Sequence, residues 1–67
     1  MKVIFILTET AQEILEMESN DVAGILAAVQ GESVTFPFGN FKYDCHSLDH
    51  YLEDGMYRQE LVIYLKA

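Results

Sequence analysis

Cysteine occurs once, at Cys45, so no disulfide can close within the chain, and the sequence lacks the ligand spacing of a structural zinc site. Very small domains commonly lean on one of those supports, which leaves oligomerisation as the expected one. Basic residues are also scarce. Four Lys and Arg stand against eleven Asp and Glu, for a net charge of -7. Between Lys2 and Lys42 lie six acidic residues, Glu9, Glu13, Glu16, Glu18, Asp21 and Glu32, and no basic one. Affinity for a nucleic-acid backbone or an anionic lipid surface rests on clustered Lys and Arg, so neither direct nucleic-acid binding nor membrane association is expected.

Long hydrophobic runs are missing too. The apolar stretch Val3-Ile4-Phe5-Ile6-Leu7 ends at Thr8-Glu9-Thr10, too short for a membrane span or a signal-peptide core. With a single thiol, which suits a reducing compartment, this points to a cytoplasmic protein. No G-x-S-x-G, glycine-rich phosphate loop or H-E-x-x-H occurs, and so short a chain has little volume for a small-ligand pocket of about 300 Å³ or more. The expectation is a protein without enzymatic activity and without a cofactor.

What the chain does have is apolar content. Of its 67 residues, 51% are hydrophobic, enough to argue against disorder and for one folded domain spanning 1–67. Such a chain buries only about 60% of the surface that its unfolded form exposes, so its stability margin is thin. Val3 to Leu7 and Leu61-Val62-Ile63-Tyr64-Leu65 are apolar at nearly every position, which reads as two neighbouring central strands covered on both faces.

Between Val34 and Cys45, a two-residue turn at Gly39-Asn40 would pair Phe38 with Phe41 and Phe36 with Tyr43. Alternation then places Val34, Phe36, Phe38, Phe41, Tyr43 and Cys45 on one core face, making Cys45 a buried, inert thiol. Ser19 or Asn20 can cap a helix from Asp21 to Gln30, with Gly31 as its left-handed terminator. Its stripe Val22, Ile25, Leu26 and Val29 faces the core, whereas its other side carries Ala23, Gly24, Ala27 and Ala28 without a charge. Either something packs closely on that small-residue face or the helix is sunk deep in the fold.

Residues 10 to 18 satisfy two patterns. Thr10-x-x-Glu13 is a capping box, and propensity favours helix; a return strand over Gln12–Glu18 would instead turn Leu15 and Met17 inward. Ser47 can cap a short second helix with Leu48, Tyr51 and Leu52 inward and Gly55 at its end. The fold class that follows is α+β: a small antiparallel or mixed sheet of roughly three to five strands, packed on one main helix with a short second helix.

The reactive side chains cluster between Asp44 and Asp54. No metal site is assigned, but on a helix His46, His50 and Asp54 would fall at i, i+4 and i+8 and are weak candidate ligands. Glu9, Glu13 and Glu16 form the candidate acidic face.

The preferred functional expectation is a small, non-enzymatic protein-interaction module, self-associating as a homodimer, with a further protein partner unidentified. Its size and charge resemble those of phage and mobile-element accessory proteins, which is an association only. An acidic inhibitor that mimics nucleic acid at a basic protein site is the alternative, and a small metal-binding protein is the second alternative.

Overall fold

A computed structural model describes all 67 residues. The elements run β1 (Lys2–Leu7), β2 (Gln12–Glu18), α1 (Val22–Val29), β3 (Val34–Phe36), β4 (Gly39–Glu53) and β5 (Met56–Lys66). They form one five-stranded sheet in the order β2-β1-β5-β4-β3. Strands hold 63% of the residues and helix 12%, so the expected α+β fold built on a main helix gives way to a mostly β fold with one short helix. The two doubly apolar strands do lie side by side: β1 and β5 pair in parallel from Lys2 opposite Glu60 to Leu7 opposite Leu65, and every other pairing is antiparallel.

One sheet face carries Val3 and Phe5 of β1 and Leu61, Ile63 and Leu65 of β5, which with Val29 of α1 form the buried core. Val3, Ile63 and Leu65 are fully buried, each worth about 1.5–3 kcal/mol relative to an exposed position. Val22, Ile25 and Leu26 of α1 and the aromatics Phe36, Phe41 and Tyr43 pack around that core. The opposite face has no covering element, so the expected cover on both faces of β1 and β5 is corrected to one; Ile4, Ile6 and Tyr64 are half-buried there, and Val62 is shielded by its neighbours within the sheet.

Five local expectations are corrected. Residues 12–18 form the return strand and not the propensity-favoured helix: pairing with β1, Leu15 opposite Phe5 and Met17 opposite Val3, outweighs helix propensity. The second helix from Ser47 is absent, and that stretch is the middle of the 15-residue β4. Its chemistry is explained by the next turn, where Asp54 and Gly55 both have positive φ (51° and 76°) between Glu53 and Met56, as a two-residue type I′ hairpin requires. Gly55 therefore reverses a strand and terminates no helix.

The β3–β4 hairpin turns at Pro37-Phe38, with Phe36 opposite Gly39 and Val34 opposite Phe41, and not at Gly39-Asn40. Proline lacks a ladder N–H and presets the first central position of a turn, so it takes the corner and leaves Phe38 on its outside. The helix is shorter than expected: Asp21 caps it, its Oδ1 accepting from the Gly24 N–H at 3.1 Å, while the Ser19 hydroxyl accepts from the Asp21 N–H. A Cβ on Gly24 would meet the Asp21 carboxylate at 2.2 Å, so any side chain there would push the capping carboxylate aside. Gly31 follows the helix without a positive φ.

The fifth correction concerns Cys45. Opposite β5, Tyr43 pairs with Leu65 and Cys45 with Tyr64, leaving Asp44 as the extra residue of a β-bulge. One unpaired residue shifts the alternation by one place, so Cys45 leaves the aromatic core face and is exposed on the other. The Thr8 hydroxyl donates to the Asp44 carboxylate at 2.8 Å and fixes the bulge to the end of β1.

Candidate interaction surface

The β4–β5 hairpin outgrows its neighbours. Its ladder runs from Lys42 opposite Lys66 to Glu53 opposite Met56. On one side β1 pairs only with Glu60–Leu65 of β5, and on the other β3 pairs only with Gly39–Phe41 of β4. Two stretches of backbone edge therefore have no strand beside them: 56–59 of β5, and 42–53 of β4.

The projecting end is also apolar on the face that α1 covers further along. The register carries that face from Leu61, opposite Leu48, outward through Gln59 opposite His50 to Tyr57 opposite Leu52. Leu48 is 50% exposed, Leu52 64% and Tyr57 79%, and Met56 at the tip is 61% exposed. Scattered apolar side chains are ordinary on a surface, but Leu52 and Tyr57 are direct cross-strand partners, Leu48 lies on the same face beyond the His50–Gln59 pair, and Met56 stands beside them at the tip on the other face. Gln59 and His50 join by a 3.1 Å hydrogen bond between side chains.

The reverse face of the same end is charged. Lys2 lies 3.6 Å from Glu16 and 3.9 Å from Glu60, and its ammonium stands 5.7 Å from the centre of the Tyr51 ring. The Glu16 carboxylate, ahead of Tyr51, holds the Lys2 pKa above its usual value. Glu13 is raised as well, first by a hydrogen bond shared with Glu16 and then by partial desolvation. Arg58 and Glu53 pair across the hairpin at 3.8 Å, an exposed contact worth about 0–1 kcal/mol.

Where β1 begins and β5 continues alone, an open cleft of about 570 Å³ forms between Lys2, Glu18, Tyr51, Tyr57 and Arg58. A second, of about 330 Å³, lies between Leu7, Ile14, Phe38 and Phe41. Both are open concavities at the surface, formed where the hairpin projects and Phe38 turns outward, and neither is an enclosed pocket of the kind that holds a small ligand.

The other candidate residues are distributed as follows. Ala23, Gly24, Ala27 and Ala28 share the exposed side of α1, with nothing packed on them. Glu13 and Glu16 come together beside Lys2, whereas Glu9 sits apart in the β1–β2 loop. His46 and His50 share a face of β4, but four residues of strand separate them by about 13 Å, and Asp54 lies in the turn, so the helical spacing that made them candidate ligands does not exist. No three His, Cys, Asp or Glu side chains converge as a metal site would need. His46 Nδ1 instead hydrogen bonds with the Tyr43 hydroxyl, a contact between residues three apart on one face that only the bulge permits.

Sequence reasoning missed Leu48, Leu52, Met56 and Tyr57 as surface residues. The signal was Asp54-Gly55 between two alternating runs, which marks a hairpin more strongly than Ser47 marks a cap. No helix is long and apolar enough to cross a membrane. Compared with known proteins, the chain matches no family model, no curated protein and no solved structure.

Proposed function

We propose that the chain is a non-enzymatic protein-interaction module that self-associates and works in a reducing, cytoplasmic compartment. The observation that carries this reading is the unfinished end of the sheet, where Leu48, Leu52, Met56 and Tyr57 are at least half exposed beside two unpaired backbone edges. Exposed apolar surface and open strand edges are both costs in an isolated domain, and a protein partner removes both at once. The exposed Cys45 thiol favours a reducing compartment. Mimicry of nucleic acid has less support: Glu9 stands apart from Glu13 and Glu16, and Lys2 partly neutralises Glu16.

Sedimentation velocity across a concentration series tests the proposal. The weight-average mass should rise from 7.6 kDa toward about twice that value as concentration increases. A mass that stays at the monomer value throughout the series overturns it.

A further inference from the structure

We propose that two copies join through the open edge of β4, antiparallel about a two-fold axis at Leu48, to make one continuous ten-stranded sheet. This rests on the reading that the chain self-associates, and it specifies the surface and the register.

The two outer edges of the sheet are not equivalent. β2 presents Glu13, Glu16 and Glu18 along a seven-residue strand, and two copies meeting there would oppose like charges. β4 leaves 42–53 unpaired, with basic Lys42 at one end of that stretch and acidic Glu53 and Asp54 at the other. An antiparallel pairing of β4 with its own copy therefore sets Lys42 against the partner's acidic end, twice per dimer.

Symmetry and sterics then select the register. Directly opposed residues in an antiparallel pair project to the same face, so a two-fold axis normal to the sheet must pass through a residue and its own copy, never between unlike faces. β3 already occupies the edge as far as Phe41, so the partner's turn can advance to Lys42 and no further. The longest pairing that satisfies both conditions centres on Leu48, with His46 opposite the partner's His50 and Ser47 opposite the partner's Asp49. Moving the axis to Ser47 drives the partner's Glu53 into the place of β3. Moving it to Asp49 opposes two aspartates directly.

The Leu48 register places two half-exposed leucines against each other on the helix side and adds about a dozen backbone hydrogen bonds. The bulge at Asp44 lies at the end of this tract, so 45–51 pair without interruption, and with Asp44 paired across the joint Lys42 faces Asp54 of the partner subunit.

Sedimentation of three charge variants, each checked for native far-UV circular dichroism, separates this joint from the other uncovered surfaces. Leu48→Lys, at a half-exposed position, should weaken the dimer by tenfold or more, while Ile6→Lys on the open sheet face and Ala27→Glu on the outer side of α1 leave it intact. Dissociation by Ile6→Lys or Ala27→Glu but not by Leu48→Lys overturns the edge joint and leaves self-association standing. A wild-type chain that is monomeric throughout removes both.

The register has its own test in a Cys45→Ser background. Leu48→Cys should close an intermolecular disulfide under mild oxidation, because directly opposed Cα atoms lie about 4.5–5.5 Å apart, within disulfide range. Asp49→Cys should not, since its copy is displaced along the strand beyond about 7 Å. Equal cross-linking at both positions, or cross-linking at Asp49→Cys alone, overturns the Leu48 register.

Discussion

β5 is one unbroken strand that passes through two environments. From Leu61 to Leu65 it lies between β1 and β4, and all but Tyr64 of those five residues are buried. From Met56 to Gln59 it has β4 alone beside it, and every residue is exposed. Backbone geometry is the same in both halves, so the difference lies in what surrounds the strand. A strand becomes core when it has neighbours on both edges and a layer above; with one neighbour it is half of a hairpin, marginal in water by itself. The contrast shows that the folding unit ends near Glu60, and that the projecting end is free to serve another purpose.

The strongest way to break the contrast is to attack the covered half. Ile63→Ala removes a fully buried side chain and should cost about 2–5 kcal/mol in a domain whose whole margin is of that order, so urea denaturation should find it largely unfolded. A smaller loss is expected at the turn. Gly55→Ala meets nothing within 4 Å, so its cost is purely that of forcing a φ of 76° on a residue with a Cβ, about 1–2 kcal/mol. That loss should appear as fast amide exchange confined to the projecting half, with Leu61 to Leu65 still protected.

Tyr57→Ala, at 79% exposure, should shift monomer stability by no more than about 0.5 kcal/mol in thermal unfolding. An effect as large as that of Ile63→Ala would mean that the projecting end is core after all.

The smallest effect belongs to the acidic pair on the uncovered face. Because the folded state raises the Glu13 pKa, its carboxylate binds a proton more tightly there than in the unfolded chain; the resulting stability is present at acid pH and lost as pH rises through the raised value. Glu13→Gln should therefore raise the melting temperature slightly at neutral pH and flatten its dependence on pH in the carboxylate range.

The central, adjacent position of Val3–Leu7 and Leu61–Leu65 could be read from their apolar runs, but the cover expected on both faces could not: one face is left open, with Ile4, Ile6 and Tyr64 half-buried in it. The helix could also be read to within a residue or two of its observed bounds, because Asp21 and the stripe Val22, Ile25, Leu26, Val29 agree with each other. What misled was local signal in competition with pairing. Gln12–Glu18 favours helix residue by residue, and only its partner β1 makes it a strand. Ser47-Leu48 resembles a helix start, but the Asp54-Gly55 turn recruits the whole stretch to β5. Of the candidate surfaces, the small-residue side of α1 was identifiable because helical period alone defines it. The projecting hairpin was hidden because its exposure depends on where β1 and β3 stop, which no local pattern records.

The bulge at Asp44 acts on β4 as a frameshift acts on a coding sequence. Upstream, odd-numbered residues such as Tyr43 face the core; downstream, the even-numbered His46, Leu48, His50 and Leu52 do. Evolution can therefore lengthen or shorten β4 by one residue at this position without exchanging its two faces, whereas a single insertion or deletion at Ser47 would invert everything from Leu48 to the tip. The Thr8 hydroxyl on the Asp44 carboxylate marks the place where the two frames are spliced.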